Sequence, residues 1–304
     1  MYLVIDIGGT LIKSALMNRS GQIIEKESRP ISRENIEAFD HVLFQIIDHY
    51  FSAEIRGISI SCPGSVDTKE GIIYNGGSFP FQHNVNLKKK LETHYSVEVA
   101  VENDGRCAAL AELWLGSIKE KKDAVVLVLG SGVGGGIIID GRLRHGNHLL
   151  AGEMSFVMNK VNKETHVAKF VGYEGSAVEM IKRINTEMQE VELLDGKKAF
   201  EYINSGDELA NKIFNDYCMY IATLILNLQY ILDPEVFAIG GGISAQPILI
   251  EKIKWAVEKL KKANPIHVAN PNIVCCHYQS DANLYGALHH WLIEHEKIEN
   301  QVIS

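Results

Sequence analysis

Short apolar runs that end in polar or glycine-rich turns are the first pattern in the chain. Three such runs open it, at residues 2–6, 11–17 and 22–26, with turns at Gly8-Gly9 and Ser20-Gly21 between them. Apolar runs of this length, bounded by turn residues, predict β-strands. The chain is therefore expected to begin with a meander of three strands.

The same meander recurs further along the chain. Residues 124–129 lead through a glycine-rich turn into a strand at residues 137–139 and then into the turn Asp140-Gly141. Two similar meanders indicate two similar lobes. We place the boundary at the lysine-rich turn 119–122, which gives a small N-terminal lobe of residues 1–117 and a large C-terminal lobe of residues 118–285.

Helices are expected between the strands. Apolar side chains recur at helical spacing from Ile36 to Tyr50, and Ser32 is the expected N-cap of this helix. Further helices are predicted at residues 105–115, 175–188, 207–232, 247–262 and 281–296, and further strands at 57–60, 97–101, 236–239 and 273–276. This alternation indicates an α/β architecture. The apolar stripe of the last helix predicts that residues 286–304 pack back on the first lobe.

Charge and composition exclude several classes of function. The net charge is −8, so binding to a nucleic acid backbone is not expected. The five cysteines contain no C-x-x-C pair, which is typical of a reducing compartment. Neither a signal peptide nor an apolar run near the ~18 residues of a membrane span is found. We expect a cytoplasmic protein with no membrane partner.

The segment Asp6-Ile7-Gly8-Gly9-Thr10 follows a predicted strand directly. Its glycines would let backbone N–H groups approach an anion, and Thr10 could donate a hydrogen bond to a phosphate oxygen. Asp6 could hold a hydrated Mg²⁺. Taken alone, the segment is equally compatible with a hairpin that uses glycine only to turn.

Two further glycine-rich segments also follow predicted strands. They are Leu129-Gly130-Ser131-Gly132-Val133-Gly134-Gly135-Gly136 and, after residues 236–239, Gly240-Gly241-Gly242. The first is a second candidate phosphate site, and the second could pass close beneath a nucleotide ring. Three such segments in one chain favour a nucleotide site over independent turns.

The segment Glu102-Asn103-Asp104 stands where a predicted strand gives way to a helix, which is a common place for ligand groups in open α/β sheets. Phosphoryl transfer needs a metal, an in-line hydroxyl and a carboxylate that accepts the proton, and Asp104 could be that carboxylate. The alternative is that Asn103 or Asp104 only caps the helix.

The three glycine sites, in this order, resemble the superfamily of sugar kinases, Hsp70 and actin. Together with Pro63-Gly64, Glu102-Asn103-Asp104 and Gly152-Glu153, they resemble the ROK family of bacterial sugar kinases and repressors over nearly the whole chain. The resemblance implies a two-lobed actin-like ATPase fold, related to ribonuclease H, with duplicated sheet-and-helix domains around a cleft. It also implies a homodimer, ATP and Mg²⁺ as cofactors, and a sugar as the other substrate.

The resemblance also assigns residues. Asp104 matches the catalytic base, and Gly77, Asn103, Asp104, Glu153 and Glu174 are the expected sugar-binding residues, although the alignment at Glu174 is ambiguous. Asp6 is expected to hold Mg²⁺ through water. The expected ATP-binding residues are Asp6, Gly8, Gly9, Thr10, Lys13, Ser131, Gly132, Gly134, Gly135, Gly240, Gly241 and Gly242.

One departure from the family concerns its structural zinc site. Phe156 stands where most members have a histidine, and residues 159–175 contain no cysteine, so we expect no bound zinc. His145, His148 and His166 lack ligand spacing and are expected to be surface or loop histidines. Phe156 could stack on a ligand or could fill the core in place of the metal.

The zinc-free pattern, with Tyr74-Asn75-Gly76-Gly77-Ser78, resembles the β-glucoside kinase branch of the family. This implies phosphorylation of the 6-hydroxyl of the non-reducing glucose of cellobiose or a related β-glucoside. Glucokinase and N-acetylmannosamine kinase activities are the alternatives, and a sugar-responsive regulator is the alternative that is not an enzyme. The repressors of the family carry a helix-turn-helix module before the kinase-like part, for which residues 1–5 leave no room.

Overall fold

The computed structural model of the chain describes residues 1–297. The strands are β1 (Tyr2–Ile7), β2 (Leu11–Met17), β3 (Ile23–Pro30), β4 (Gly57–Cys62), β5 (Ser65–Asp67), β6 (Ile72–Tyr74), β7 (Val85–Asn86), β8 (Glu98–Asn103), β9 (Ala124–Leu129), β10 (Val133–Ile139), β11 (Arg142–Leu143), β12 (Met158–Val161), β13 (Ala168–Phe170), β14 (Val236–Gly240) and β15 (Ile273–Cys275). The helices are α1 (Ile36–Tyr50), α2 (Leu87–Tyr95), α3 (Asp104–Trp114), α4 (Val171–Glu174), α5 (Ala177–Glu187), α6 (Gly196–Ser205), α7 (Glu208–Leu232), α8 (Pro247–Ala263) and α9 (Ala282–Glu296).

The chain falls into two compact units. The first contains Met1–Glu120, Gly141–Ala151 and the described residues from Ser280 onward, and the second contains Lys121–Asp140 and Gly152–Gln279. The predicted lobe limits at residues 117 and 285 stay predictions. Residues 298–304 of the expected C-terminal helix lie outside the described part of the chain.

The first unit is built on a sheet with the order β3-β2-β1-β4-β8. β1 and β2 are antiparallel, as are β2 and β3, whereas β1, β4 and β8 run parallel. Alternate residues of β1 point to opposite faces. Leu3 and Ile5 pack with α1 and α2, while Tyr2 and Val4 pack with α3 and α9. Both faces of the sheet are therefore covered, and its carboxyl end stays available for a site.

The second unit repeats this arrangement. β10 is antiparallel to β9, and β9, β14 and β15 are parallel in that order. Val125, Leu127 and Leu129 of β9 belong to one buried cluster with α5, α7 and α8. The predicted α/β class is confirmed. Within residues 1–297, no helix has the length and apolar character needed to span a bilayer.

The structure corrects several local predictions. Asn35, and not Ser32, is the N-cap of α1, because its side chain accepts a hydrogen bond from the Ala38 N–H. Gly134, Gly135 and Gly136 lie inside β10, so the second glycine-rich turn is confined to Gly130-Ser131-Gly132. The sequence reading missed α2, α6, the β12-β13 hairpin and the small β5-β6-β7 sheet.

Candidate active site

Asp6 lies near the carboxyl end of β1, the central strand of the first sheet, and only 4% of it is exposed. Its Oδ1 accepts hydrogen bonds from Ser61 Oγ at 3.1 Å and from Asn283 Nδ2 at 3.0 Å, and Lys13 Nζ lies 3.8 Å from its Oδ2. Burial raises the pKa of Asp6, although Asn283, Lys13 and Ser61 oppose this increase. A buried carboxylate of this kind can be stabilised by a nearby cation, so its chemistry fits a role beside Mg²⁺.

The glycine turn after β1 is short and closes on itself. The Gly8 N–H donates to the Leu11 carbonyl at 3.0 Å, while Gly9 and Thr10 are exposed. Lys13, on β2, donates from Nζ to the Ser280 carbonyl at 2.5 Å. The first unit thus brings Asp6, Lys13 and the Gly8-Gly9-Thr10 turn together at one edge of its sheet.

Asn103 and Asp104 stand two strands away from Asp6, at the carboxyl end of β8. Asn103 is the N-cap of α3, since its Oδ1 accepts from the Arg106 N–H at 3.1 Å. Its Nδ2 donates to the Gly64 carbonyl and to Asp104 Oδ1, both at 3.0 Å. Asp104 Oδ1 also accepts from the Gly105 N–H at 2.8 Å. The capping alternative therefore holds for Asn103, and it fixes the carboxylate of Asp104 at the start of the helix.

A loop that contains Gly77 lies beside these residues. Gly64 has a φ of +101°, and a β-carbon there would lie 2.5 Å from the Asn75 carbonyl oxygen. Gly77 packs in turn against Pro63, at 3.1 Å from the position that its own β-carbon would take. Because Asn103 donates to Gly64, the first unit brings Gly77, Asn103 and Asp104 into one neighbourhood.

Glu102, next to Asn103, has partners that the sequence did not indicate. It is fully buried, and its Oε2 accepts a hydrogen bond from His145 Nε2 at 2.6 Å. Arg106, also buried, donates to the carbonyls of Leu149 at 2.5 Å and Ala151 at 3.3 Å. His145 lies in a loop and is partly exposed, as predicted, but its bond to a buried carboxylate was not indicated by the sequence. His148 and His166 are exposed.

In the second unit, the turn Gly130-Ser131-Gly132 is held from two sides. The Gly130 carbonyl accepts from the Ala177 N–H at 2.9 Å, at the first turn of α5. Ser155 Oγ accepts from the Val133 N–H at 2.9 Å and donates to the Val133 carbonyl at 3.1 Å. Ser131 itself is exposed. Ser155 was missed by the sequence reading and stabilises a turn that is a candidate phosphate site.

The third glycine segment lies against this turn. Gly241 has a φ of +94°, and a β-carbon there would be 2.1 Å from the carbonyl oxygen of Leu129, the last residue of β9. Parallel pairing of β9 with β14 brings the carboxyl ends of both strands to the same edge. The turn that begins at Gly130 and the segment Gly240 to Gly242 therefore follow neighbouring strands at the same edge of the sheet, whereas Gly134 and Gly135 lie within β10.

Glu153, Phe156 and Glu174 lie on neighbouring pieces of the second unit. Glu153 is the N-cap residue of a short 3₁₀ helix that contains Phe156, and α4 packs on that helix through Gly172 and Ser155. Phe156 is 65% exposed, so the interpretation that it fills the core is wrong. Glu174 accepts from Asn159 at 3.0 Å and from Lys169 at 2.9 Å, and it lines a cavity of about 340 Å³.

Comparisons with known proteins identify the chain. A family model described as ROK family matches residues 2–294. A β-glucoside kinase of Listeria monocytogenes is 32% identical over 299 residues, which are 97% of this chain and 98% of that protein. A glucokinase of Halalkalibacterium halodurans is 28% identical over 282 residues, 84% of this chain and 85% of that protein.

A solved structure agrees with these relatives. The crystal structure of a ROK family protein from Streptococcus pneumoniae in complex with sucrose is 32% identical and has a TM-score of 0.85. The match covers 98% of this chain and 99% of that chain, which shows the actin-like ATPase fold. The chain belongs to the ROK family and is an ATP-dependent sugar kinase of that family.

Proposed function

We propose that this kinase transfers the γ-phosphoryl group of ATP to the 6-hydroxyl of the non-reducing glucose of a β-glucoside such as cellobiose. The observation that carries this proposal is the similarity to a β-glucoside kinase over nearly the full length of both chains. The exposed ring of Phe156 supports it, because this ring offers an apolar surface for the aglycone.

Asp104 is the general base in this proposal. Its carboxylate takes the proton from the sugar hydroxyl as the oxygen attacks the γ-phosphorus of ATP and ADP leaves. Asp104 is preorganised for this task, since the Gly105 N–H and Asn103 Nδ2 both donate to its Oδ1. A carboxylate held by two donors is already oriented, so it loses little conformational freedom when the substrate binds.

ATP is assigned to the glycine segments of both units. Backbone N–H groups at Gly9 and Gly132, together with Thr10 and Ser131, would bind the phosphates, and Lys13 would add a positive charge. Gly8, whose N–H donates to the Leu11 carbonyl, would hold the turn in place and leave room for the phosphates. Gly240, Gly241 and Gly242 would leave room for the nucleoside. Gly134 and Gly135 stay in the proposed set, although they lie inside a strand. Asp6 would hold Mg²⁺ through water, and this metal would neutralise charge between the phosphates.

The sugar is assigned to Gly77, Asn103, Asp104, Glu153 and Glu174. Both hydrogens of Asn103 Nδ2 are already used, so a sugar hydroxyl would donate to Asn103 Oδ1 or would replace one of its partners. Glu174 accepts from Lys169 and Asn159, so a sugar hydroxyl would have to share this carboxylate with them or displace one of them.

A sugar panel with ATP and Mg²⁺, followed by coupled ADP formation, tests the proposal. We expect kcat/KM for cellobiose to exceed the values for glucose and N-acetylmannosamine by about tenfold or more, as an aglycone-binding surface would require. A preference for either monosaccharide would reject the β-glucoside assignment and support a glucokinase or an N-acetylmannosamine kinase. Absence of ADP release with every sugar would favour the sugar-responsive regulator.

Three further expectations belong to the proposal. The cytoplasmic location and the homodimer follow from composition and from the family resemblance. The lack of a structural zinc follows from Phe156 and from the missing cysteines. Metal analysis of the purified protein would contradict the last point if it found about one zinc per chain that resists dialysis.

A further inference from the structure

A fully buried carboxylate lies directly before the Asn103-Asp104 pair. Glu102 Oε1 accepts a hydrogen bond from the Asn103 N–H at 2.7 Å, and Oε2 accepts from His145 Nε2 at 2.6 Å. Each oxygen therefore has a separate partner. Burying a charge costs free energy unless the charge is paired, so the burial of the Glu102 carboxylate needs an explanation.

His145 belongs to the segment Gly141–Ala151, which joins the first unit although the residues on either side belong to the second. The segment contacts the end of β8 and the start of α3 at three points. His145 binds Glu102, and the guanidinium of Arg106 donates to the carbonyls of Leu149 and Ala151. The segment is thus attached to the same helical turn that presents Asp104.

Groups from three parts of the chain, namely α3, α9 and the segment Gly141–Ala151, determine the charge state of Glu102. Arg106 of α3 lies 3.8 Å from Oε1, and His290 of α9 lies 4.0 Å from Oε2. Burial acts to raise the pKa of Glu102, but the hydrogen bond from His145 and the charges of His290, His145 and Arg106 hold this pKa below its usual value. His290 contacts Glu294 at 3.5 Å on its other nitrogen. Glu102 is therefore a carboxylate at neutral pH.

The charges of Glu102 and Asp104 act on the same neighbour. Burial raises the pKa of the Cys62 thiol on β4, and the negative charges of Asp104 and Glu102 raise it further. Cys107 of α3 responds to burial and to Glu102 in the same way. Both carboxylates thus lie close to one buried group, and a change in the charge of one is expected to affect the other.

We infer that Glu102 and His145 are positioning residues for Asp104: the hydrogen bond between them holds Glu102 against the Asn103 backbone, and Asn103 holds Asp104. This inference rests on the proposed role of Asp104 as the base. His145 satisfies Oε2 of Glu102, so Oε1 stays with the Asn103 N–H. Asn103 then caps α3 with Oδ1 and donates to Asp104 Oδ1 with Nδ2.

Replacement of His145 tests the inference, because this residue is partly exposed on a loop and its loss should not prevent folding. In His145→Ala, we expect kcat to fall about tenfold while the sugar KM stays within about twofold, as a misplaced base would require. His145→Gln restores an N–H donor and should recover most of kcat. His148→Ala, in the same segment but exposed, is the matched control and should behave like the wild type.

The pH profile gives a readout that a purely structural role would not change. Without His145, the charge of Glu102 is less compensated, so the acidic limb of kcat should move to higher pH. His145→Gln cannot carry a positive charge, and it should keep part of this shift while recovering kcat. These profiles should be measured on the full chain at fixed ionic strength.

Three results would overturn the inference. One is an unchanged kcat and acidic limb in His145→Ala, and another is a loss that follows only a lower melting temperature. The third is an effect of His148→Ala equal to that of His145→Ala. Asp104→Asn separates this inference from the proposed function: if that variant stays active, the role of Asp104 fails, whereas a dead Asp104→Asn with a normal His145→Ala rejects only the positioning role.

Discussion

The two units have sheets of the same topology but opposite chemistry at the same place. In the first sheet, Lys13, Asp6, Ser61 and Glu102 are register partners in one row across β2, β1, β4 and β8. In the second sheet, the row through the next-to-last residue of the central strand is Gly134, Val128 and Gly240, across β10, β9 and β14. The first row carries charged side chains, whereas two of the three residues in the second row are glycines, whose backbone no side chain covers.

This difference divides the work of the proposed reaction. Charged side chains in the first row can hold a metal and support a base, whereas glycines in the second allow the close approach that backbone binding of a nucleotide needs. Both units have a sheet of the same topology, and the residue types in one row determine the proposed role of each sheet. Substitutions in the first unit should therefore affect catalysis, whereas substitutions in the second should affect stability or nucleotide binding.

Asp104→Asn should give the largest effect. We expect kcat to fall by about 10² to 10⁴ because an amide cannot accept the proton from the sugar hydroxyl. The fold should persist, since the Oδ1 of asparagine still accepts from Gly105 and Asn103. Coupled ADP formation measures the loss, and circular dichroism checks the fold.

Asp140→Asn is the matched control for that experiment. Asp140 is exposed in the turn after β10 and has a φ of +53°, which asparagine also adopts. The Asp140→Asn variant should have the kcat of the wild type. Near-normal turnover of Asp104→Asn would show that Asp104 is not the base, and that the first unit does not supply the base through this residue.

Gly241→Ala should strongly destabilise the second unit. Its φ of +94° and a β-carbon 2.1 Å from the Leu129 carbonyl oxygen force the strand ends apart. We expect a loss of about 3 kcal/mol in the free energy of unfolding, measured by urea denaturation.

Gly242→Ala separates stability from ligand binding at the same segment. No atom lies within 4 Å of the position that its β-carbon would take. It should unfold like the wild type within about 0.5 kcal/mol, while its KM for ATP rises if the backbone there lies under the nucleotide. A large stability loss in Gly242→Ala would show that the strain argument is wrong.

The sequence was sufficient for the elements whose signals are local. Apolar runs located β1, β2, β9 and β14, and helical spacing located α7 and α8 to within about one or two residues. The N-cap of α1 was misplaced because Ser32 and Asn35 are both good caps, and the backbone of Asn35 stays extended at a φ of −161°. The helix α2 had apolar residues at Leu87, Leu91 and Tyr95, so its signal was present but was obscured by lysines.

Contacts between distant residues could not be predicted. The hydrogen bond from His145 to Glu102 joins positions 43 residues apart, and nothing in either local sequence indicates it. The same holds for Asn283 and Asp6, which are 277 residues apart. Glycines 134–136 suggested a loop, but in β10 they allow close packing on β9, which only the strand pairing reveals.

Asp6→Asn tests the charged row of the first sheet. We expect a smaller loss of activity than in Asp104→Asn and, in contrast to Gly241→Ala, a gain in stability. Loss of the metal-binding charge should lower kcat/KM for MgATP by about 10- to 100-fold. Burial raises the pKa of Asp6 above its unfolded value, so stability contributed by the protonated form is lost as pH rises through the folded pKa. Asparagine cannot ionise, and the variant should therefore gain in melting temperature over the wild type as pH increases.

Melting curves between pH 4 and pH 8, without nucleotide or metal, measure this gain. Asn283→Ala provides the comparison, because it removes a donor to Asp6 while keeping the acid. A melting temperature of Asp6→Asn that falls steadily below that of the wild type as pH rises would show that Lys13, Ser61 and Asn283 outweigh the cost of burial.

Phe156→Ala should give the smallest effect and the sharpest one for substrate choice. If the exposed ring contacts an aglycone, its removal should raise KM for cellobiose by about fivefold, as expected for the loss of one aromatic contact of about 1 kcal/mol, and leave the value for glucose unchanged. Phe170→Ala, another exposed aromatic change in the same unit, is the control. Equal increases for both sugars would place Phe156 at the glucose itself, and no increase for either would remove Phe156 from the substrate site.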